Sequence, residues 1–184
     1  MLVLASRSPQ RRAILEQLGI VFEVVPADVE EDTAGPPAAV VCDNALRKAQ
    51  AVAVKRSGRV VLAVDTAVVL DGGVHGKAGS DAEARAHLRL LSGRVHQVWS
   101  GLALVGPGAD GERVQCACTT VEFRDLDERI LDWYLLSGEW RERAGSYAIQ
   151  GRGAALVRRI EGDFWNVVGL PVGLLLQMAP TLLG

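Results

Sequence analysis

Val60-Val-Leu-Ala-Val-Asp-Thr-Ala-Val-Val-Leu70 is an almost unbroken apolar run, rich in β-branched residues, with one carboxylate, Asp65, in its middle. Branched side chains pack well on a pleated surface and are stiff at χ1, so the run reads as a strand. It lacks the polar alternation of a half-solvated strand, so both of its faces are covered. Asp71-Gly72-Gly73 turns its end. Upstream, a short strand from Leu2 to Ala5 leads to Ser8-Pro9, an N-cap followed by Pro at the first helical position. Ile14, Leu15 and Leu18 give that helix a buried stripe, and Gly19 closes it. A second strand, Phe22 to Val25, stops at Pro26, and the acidic stretch from Ala27 to Pro37 reads as a loop.

Downstream, an Ala/Val-rich helix runs from about Ala38 to Ser57, with Gly58 as its stop. Ser80 or Asp81 caps another helix that ends near Ser92-Gly93. Val95–Val105 and Glu112–Arg124 form a hairpin across Gly-Pro-Gly-Ala-Asp-Gly. Asp127 starts a helix that ends at Gly138. The Gly-rich stretch Gly145–Gly153 leads into a strand from Ala154 to Ile160, and a last apolar helix follows Pro171. Strands alternating with helices, plus a hairpin, give an α/β fold with a mixed sheet flanked by helices. The 184 residues suit one domain spanning 1–184, with no repeat or linker.

Composition narrows the function classes. Twenty Lys and Arg against 22 Asp and Glu give a net charge of −2, which argues against nucleic acid or an anionic membrane as partner. Aromatic residues are only 5% of the chain, too few for a base-stacking platform. Cys42, Cys116 and Cys118 are odd in number and form no C-x-x-C pair, so a disulfide scaffold and a cysteine zinc site are both disfavoured. Cys116 and Cys118 sit two apart in a strand and are expected to face one side as small buried hydrophobes. The start of the chain lacks the basic and long apolar regions of a signal peptide, and the apolar stretch Val167–Leu176 is too short and too broken by Gly and Pro to span a bilayer. A cytoplasmic location is the expectation.

Three places could carry chemistry. Ser6-Arg-Ser-Pro-Gln-Arg-Arg12 sets hydroxyls, guanidiniums and the free amides of a helix start side by side, a natural phosphate site; the plain alternative is a capped surface helix with solvated arginines. Asp65 inside an apolar strand needs a metal, a cation or strong donors, because an unpaired buried carboxylate costs several kcal/mol. Glu30 and Glu31 could add the carboxylates that Mg²⁺ takes, or simply belong to a solvated acidic loop. Lys48 and Lys77 are candidate phosphate cations. His75, His87 and His96 lack ligand spacing and read as surface or structural residues.

Taken together, Ser6-x-Ser8-Pro9-x-Arg11, Ala63-Val-Asp65-Thr66, Leu91-Ser-Gly93-Arg-x-His96, Ala144-Gly-Ser-Tyr-Ala-Ile-Gln150-Gly151 and Ile160-Glu-Gly-x-x-x-Asn166-Val-Val-Gly-Leu-Pro171 resemble the Maf family of nucleoside triphosphate pyrophosphatases. The resemblance is collinear over nearly the whole chain. It implies two lobes with a central cleft, similar to the inosine triphosphate pyrophosphatase fold, and hydrolysis of a nucleoside triphosphate to monophosphate and pyrophosphate. It also implies a divalent metal, Mg²⁺ or Mn²⁺, held by Glu31 and Asp65, with Asp65 activating water as general base and Glu31 helping to order it. Ser6, Arg11, Lys48 and Lys77 would hold the phosphates, and Thr66 and Gln150 would help choose the base. Gln10 stands where the pyrimidine-selective branch usually has Arg, while Thr66 and Gln150 match that branch, so dTTP and UTP are the expected substrates. Two alternatives stay open: a 7-methyl-GTP pyrophosphatase, and a nucleotide-binding regulator of cell division or septum formation. The chain is expected to act alone or as a homodimer.

Overall fold

The computed structural model describes residues 1–107 and 111–183. Its sheet has seven strands: β1 (Leu2–Leu4), β2 (Phe22–Val24), β3 (Val60–Leu70), β4 (Gly73–His75), β5 (Val95–Gly106), β6 (Gly111–Phe123) and β7 (Val157–Glu161). Their order is β2-β1-β3-β5-β6-β7, with β4 paired to β3. The helices are α1 (Pro9–Gln17), α2 (Pro37–Ala53), α3 (Asp81–Leu91), α4 (Glu128–Leu135), α5 (Phe164–Val168) and α6 (Val172–Met178). Pairing is parallel for β1 with β2 and with β3, and antiparallel for β3 with β4 and for β6 with β7. The sheet is therefore mixed and the class is α/β, as expected. Among the described residues, no helix is long and apolar enough to cross a membrane.

The chain divides into two compact units, and the boundaries fall inside β3, β5 and β6. The first holds Met1–Thr66, Ser100–Ala117 and Gly169–Gly184. Here β1 pairs with β3 in the register Leu2↔Val60, Val3↔Val61, Leu4↔Leu62. Helix α2 lays Ala45, Ala49 and Val52 on Val3, Ala5, Val61, Ala63 and Ala103, a core of small residues that lets helix and sheet approach closely. At Gly101 the approach is so close that a Cβ would sit 2.1 Å from the Val41 carbonyl oxygen. Ser8 caps α1 through its hydroxyl, with Pro9 in the first turn, as expected.

The second unit holds Ala67–Trp99 and Cys118–Val168. The end of β3 turns through Asp71 (φ 51°) and Gly72 (φ 79°) into β4, with Leu70 opposite Gly73. Two consecutive positive φ values match the twist of a tight hairpin, so Asp71-Gly72 does more than end a strand. Ser80 caps α3 and Asp127 caps α4. The two helices are joined by Arg85 and Arg89, which both pair with Glu128. His96 is buried, its Nε2 2.9 Å from the Tyr147 hydroxyl and its ring edge-on to Phe123.

Three details differ from the sequence expectation. Cys116 and Cys118 are exposed, not buried. They share a face, but the start of β6 is open to solvent and its regular burial alternation begins only at Thr119. A period of two tells which residues share a face, not whether anything covers it. The Gly-rich stretch ends in a 3₁₀ turn, Gly151–Ala155, so β7 starts at Val157 rather than Ala154. Helix α2 stops at Ala53, four residues before Ser57. Strands β5 and β6 are neighbours, while residues 108–110 of the expected hairpin loop lie outside the described residues.

Candidate active site

Asp65 sits on β3 between fully buried Val64 and half-buried Thr66, and is itself only 7% exposed. Its two oxygens have different partners. Oδ1 accepts the Lys48 ammonium at 2.6 Å, and Oδ2 accepts the Asn44 amide at 3.0 Å. Both partners come from α2, one turn apart, so they project from the same helix face toward the strand. Lys48 Nζ also lies 2.5 Å from Glu31 Oε1. One buried ammonium thus joins the strand carboxylate to the acidic loop. Desolvating such a charge is tolerable only with partners of this quality.

Asn44 fixes the loop beside Glu31. Its Oδ1 accepts the Asp32 backbone N–H at 2.8 Å, and its Nδ2 donates to the Asp32 carbonyl at 2.9 Å. Arg47 donates to Asn44 Oδ1 and to the Asp32 carboxylate, each at 2.6 Å. Glu31, not Glu30, is the loop glutamate that reaches Lys48; its side chain remains 47% exposed.

Arg11 organises a second set of groups in the same unit. Its Nη1 donates to Ser6 Oγ at 3.1 Å, its Nη2 to Thr66 Oγ1 at 3.1 Å, and its Nε to the Gly169 carbonyl at 2.9 Å. Thr66 Oγ1 also lies 2.9 Å from Ser100 Oγ. Burial lowers the Arg11 pKa, and the nearby Asp65 and Glu31 charges oppose that shift. The guanidinium is thus held in place rather than waving in solvent. Gln10 accepts the Ser8 hydroxyl at 3.0 Å at the start of α1.

Of the expected site residues, Ser6, Gln10, Arg11, Glu31, Lys48, Asp65 and Thr66 fall in the first unit. Within it, Glu31, Lys48 and Asp65 form one bonded group, and Ser6, Arg11 and Thr66 another. Lys77 and Gln150 belong to the second unit, where Lys77 Nζ lies 3.2 Å from Glu142 and the exposed Gln150 precedes the 3₁₀ turn. Asn44, Arg47, Ser100 and Gly169 were not singled out from the sequence. Asn44 had a readable signal: it lies four residues before Lys48 on an otherwise apolar stripe with Val41, Ala45 and Val52.

Two carboxylates already share one cation, the arrangement that suits Mg²⁺, which takes one or two carboxylates and leaves its remaining positions to water and phosphate. Among the described residues there is no cluster of three or more His, Cys, Asp or Glu able to cage a metal without substrate. The chemistry open to this group is activation of a water beside a bound phosphate.

Comparison with known proteins identifies the family. The "dTTP/UTP pyrophosphatase" of Symbiobacterium thermophilum is 48% identical over 179 residues, covering 96% of this chain and 91% of that protein. The proteins of the same name from Moorella thermoacetica and Thermotoga maritima are 47% and 43% identical, covering 93% and 96% of this chain and 89% and 86% of theirs. Among solved structures, the Ham1 protein of Staphylococcus aureus aligns with a TM-score of 0.48 and 22% identity, over 67% of this chain and 72% of that one. The model of the family described as "Maf-like protein" matches residues 1–182, and with relatives this similar over nearly their whole length, the chain belongs to the Maf family.

Proposed function

We propose that this chain is a nucleoside triphosphate pyrophosphatase that hydrolyses dTTP and UTP to the monophosphate and pyrophosphate. The observation that carries the reading is the buried Lys48 ammonium held between the Asp65 and Glu31 carboxylates. The names of the similar proteins support the pyrimidine choice over 7-methyl-GTP.

In this reading, Asp65 accepts a proton from the attacking water as that water's oxygen bonds to the α-phosphorus. The bond from the α-phosphorus to the bridging oxygen breaks, and pyrophosphate leaves with the electron pair. Glu31 and Asp65 would hold a Mg²⁺ or Mn²⁺ ion, which when bound spreads the developing negative charge on the phosphates. Lys48 exchanges its carboxylate partners for phosphate oxygens, an ammonium's common role. Arg11 and Ser6, already hydrogen-bonded to each other, present a fixed cation and a hydroxyl to the phosphates. Lys77 adds a further phosphate cation. Gln150 offers both a donor and an acceptor to the carbonyl and N3–H edge of uracil or thymine. Thr66 leaves room beside Asp65, and Gln10 supplies a neutral amide where an arginine would grip more firmly.

The test is a panel of dTTP, UTP, CTP, GTP and 7-methyl-GTP with Mg²⁺ or Mn²⁺, with pyrophosphate and orthophosphate measured separately. Pyrophosphate appears first, fastest from dTTP and UTP, and chelation stops it. Orthophosphate as the first product, or turnover that survives chelation, overturns the reading. A preference for 7-methyl-GTP overturns only the base assignment.

A further inference from the structure

We propose that Asn44 is the positioning residue of this site: its side-chain amide sets both the orientation of the Asp65 carboxylate and the place of Glu31. The inference rests on the reading of Asp65 and Glu31 as the working carboxylates.

Asn44 is 2% exposed, and a primary amide offers two donor hydrogens and two acceptor lone pairs. All four are used. Nδ2 donates to Asp65 Oδ2 and to the Asp32 carbonyl, while Oδ1 accepts the Asp32 N–H and the Arg47 guanidinium. The two bonds to Asp32 pair one amide with a whole residue of backbone, so the loop is clamped at that residue in both directions. Glu31 immediately precedes Asp32, and its carboxylate meets Lys48 from beside the clamp.

The bond to Asp65 fixes the plane of that carboxylate. With Oδ2 committed to the amide, Oδ1 is the oxygen turned to Lys48. A carboxylate in an apolar strand would otherwise rotate about its terminal torsion, which is broad and roughly two-fold. The amide achieves this without adding charge. An aspartate in its place would repel Asp65, and a lysine would compete with Lys48. Arg47 in turn holds the amide, so its choice of oxygen over nitrogen is dictated by a cationic donor on one side and a carboxylate on the other. Partners that orient a metal-binding or catalytic group in this way typically contribute 10–100-fold in metal affinity or activity.

Two variants separate these roles. Asn44→Leu keeps the size and removes all four bonds. Asn44→Asp keeps an acceptor for the Asp32 N–H and for Arg47 but loses the donor to the Asp32 carbonyl and sets a like charge against Asp65. Each is assayed for pyrophosphate release from dTTP as a function of Mg²⁺. Amide hydrogen exchange across residues 27–36 is measured without metal or nucleotide. For Asn44→Leu, kcat falls and the Mg²⁺ midpoint rises, each by about 10–100-fold, while KM for dTTP stays within about threefold. Exchange at Asp32 accelerates by about tenfold or more, with the buried half of α2 unchanged. For Asn44→Asp, kcat falls as far but Asp32 stays protected. A folded Asn44→Leu protein with normal kcat and Mg²⁺ midpoint overturns the proposal. If that variant fails to fold, the wild-type protein decides: an Asp32 amide that exchanges as fast as a free peptide also overturns it. An inactive Asp65→Asn with an active Asn44→Leu refutes the role of Asn44 alone, whereas an active Asp65→Asn refutes the reading of the site beneath it.

Discussion

Replacing Lys48 by Met tests the charge balance of the site directly. Met keeps most of the hydrocarbon stem, so packing along α2 is preserved while the ammonium is lost. The oxygens of Asp65 and Glu31 that share the ammonium lie within about 5 Å of each other. Two like charges at that distance repel by about 3 kcal/mol at an effective dielectric constant near 20. Glu31 is half exposed, which screens part of this, while Asp65 is left buried and without its cation. The net cost is about 2–4 kcal/mol, which lowers Tm by roughly 5–15 °C in a domain of this size. A divalent ion reverses the loss, because it supplies the missing positive charge to the same two oxygens. At a concentration 100 times its Kd it stabilises by about 2.7 kcal/mol. In the wild type, the same ion must first displace Lys48, so its effect on Tm is smaller. The assay is thermal unfolding of both proteins with EDTA and with saturating Mg²⁺. Equal melting temperatures in EDTA, or equal Mg²⁺ increments, refute the reasoning.

Three other changes probe neighbouring parts of the same argument. Asp65→Asn lowers kcat by about 10²-fold or more, read as pyrophosphate release at saturating dTTP, because the amide keeps the shape but loses the basicity. It also costs about 1–3 kcal/mol in urea unfolding, since Lys48 is left with Glu31 alone. Arg11→Lys loses about 2–4 kcal/mol by the same measurement, because one ammonium cannot serve Ser6, Thr66 and Gly169 together, and kcat/KM falls alike for dTTP and UTP. Burial holds the His96 pKa down to about 4, below its ordinary 6.5. The neutral ring therefore stabilises the fold fully above pH 6.5, and about 3 kcal/mol of that stability is lost as pH falls from 6.5 toward 4. Urea midpoints that stay flat across that window contradict the assignment.

How far the sequence alone carried depends on which forces decide each feature. Strand β3 was readable to the residue, because a long β-branched run has few other solutions. The caps at Ser8 and Asp127, and the α3 cap to within one residue (Ser80 or Asp81), were readable because each is set by a side chain within three residues. Helix α5 was not, being only five residues long and opened by a bond from the Trp165 N–H to the Asp163 side chain. The exposure of Cys116 depends on what covers β6, which no local pattern encodes. Within the site, Asp65 announced itself as a carboxylate in need of a partner. Its partner did not, because Arg47, Lys48, Lys55 and Arg56 are all cations on or just after α2, and only the packing of that helix on β3 separates Lys48 from the rest.

The charges of the first unit explain why this arrangement persists despite its desolvation cost. Replacing a buried ion pair with apolar residues is often neutral or stabilising, so stability is a weak reason to keep Lys48 and Asp65. The group is better understood as a balanced set, with the carboxylates of Asp65 and Glu31 near the cations of Lys48 and Arg11. Balance lets two carboxylates sit close together before any substrate arrives. Arg11 and Asn44 are locked by several bonds each, whereas among the described residues the Lys48 ammonium is paired with the two carboxylates alone. A long flexible stem with a single terminal charge is the member best able to change partners. In the proposed reaction the fixed groups define where phosphate and carboxylate sit, and Lys48 changes partners between them. A site built for stability alone would have no reason to distribute its rigidity in this way.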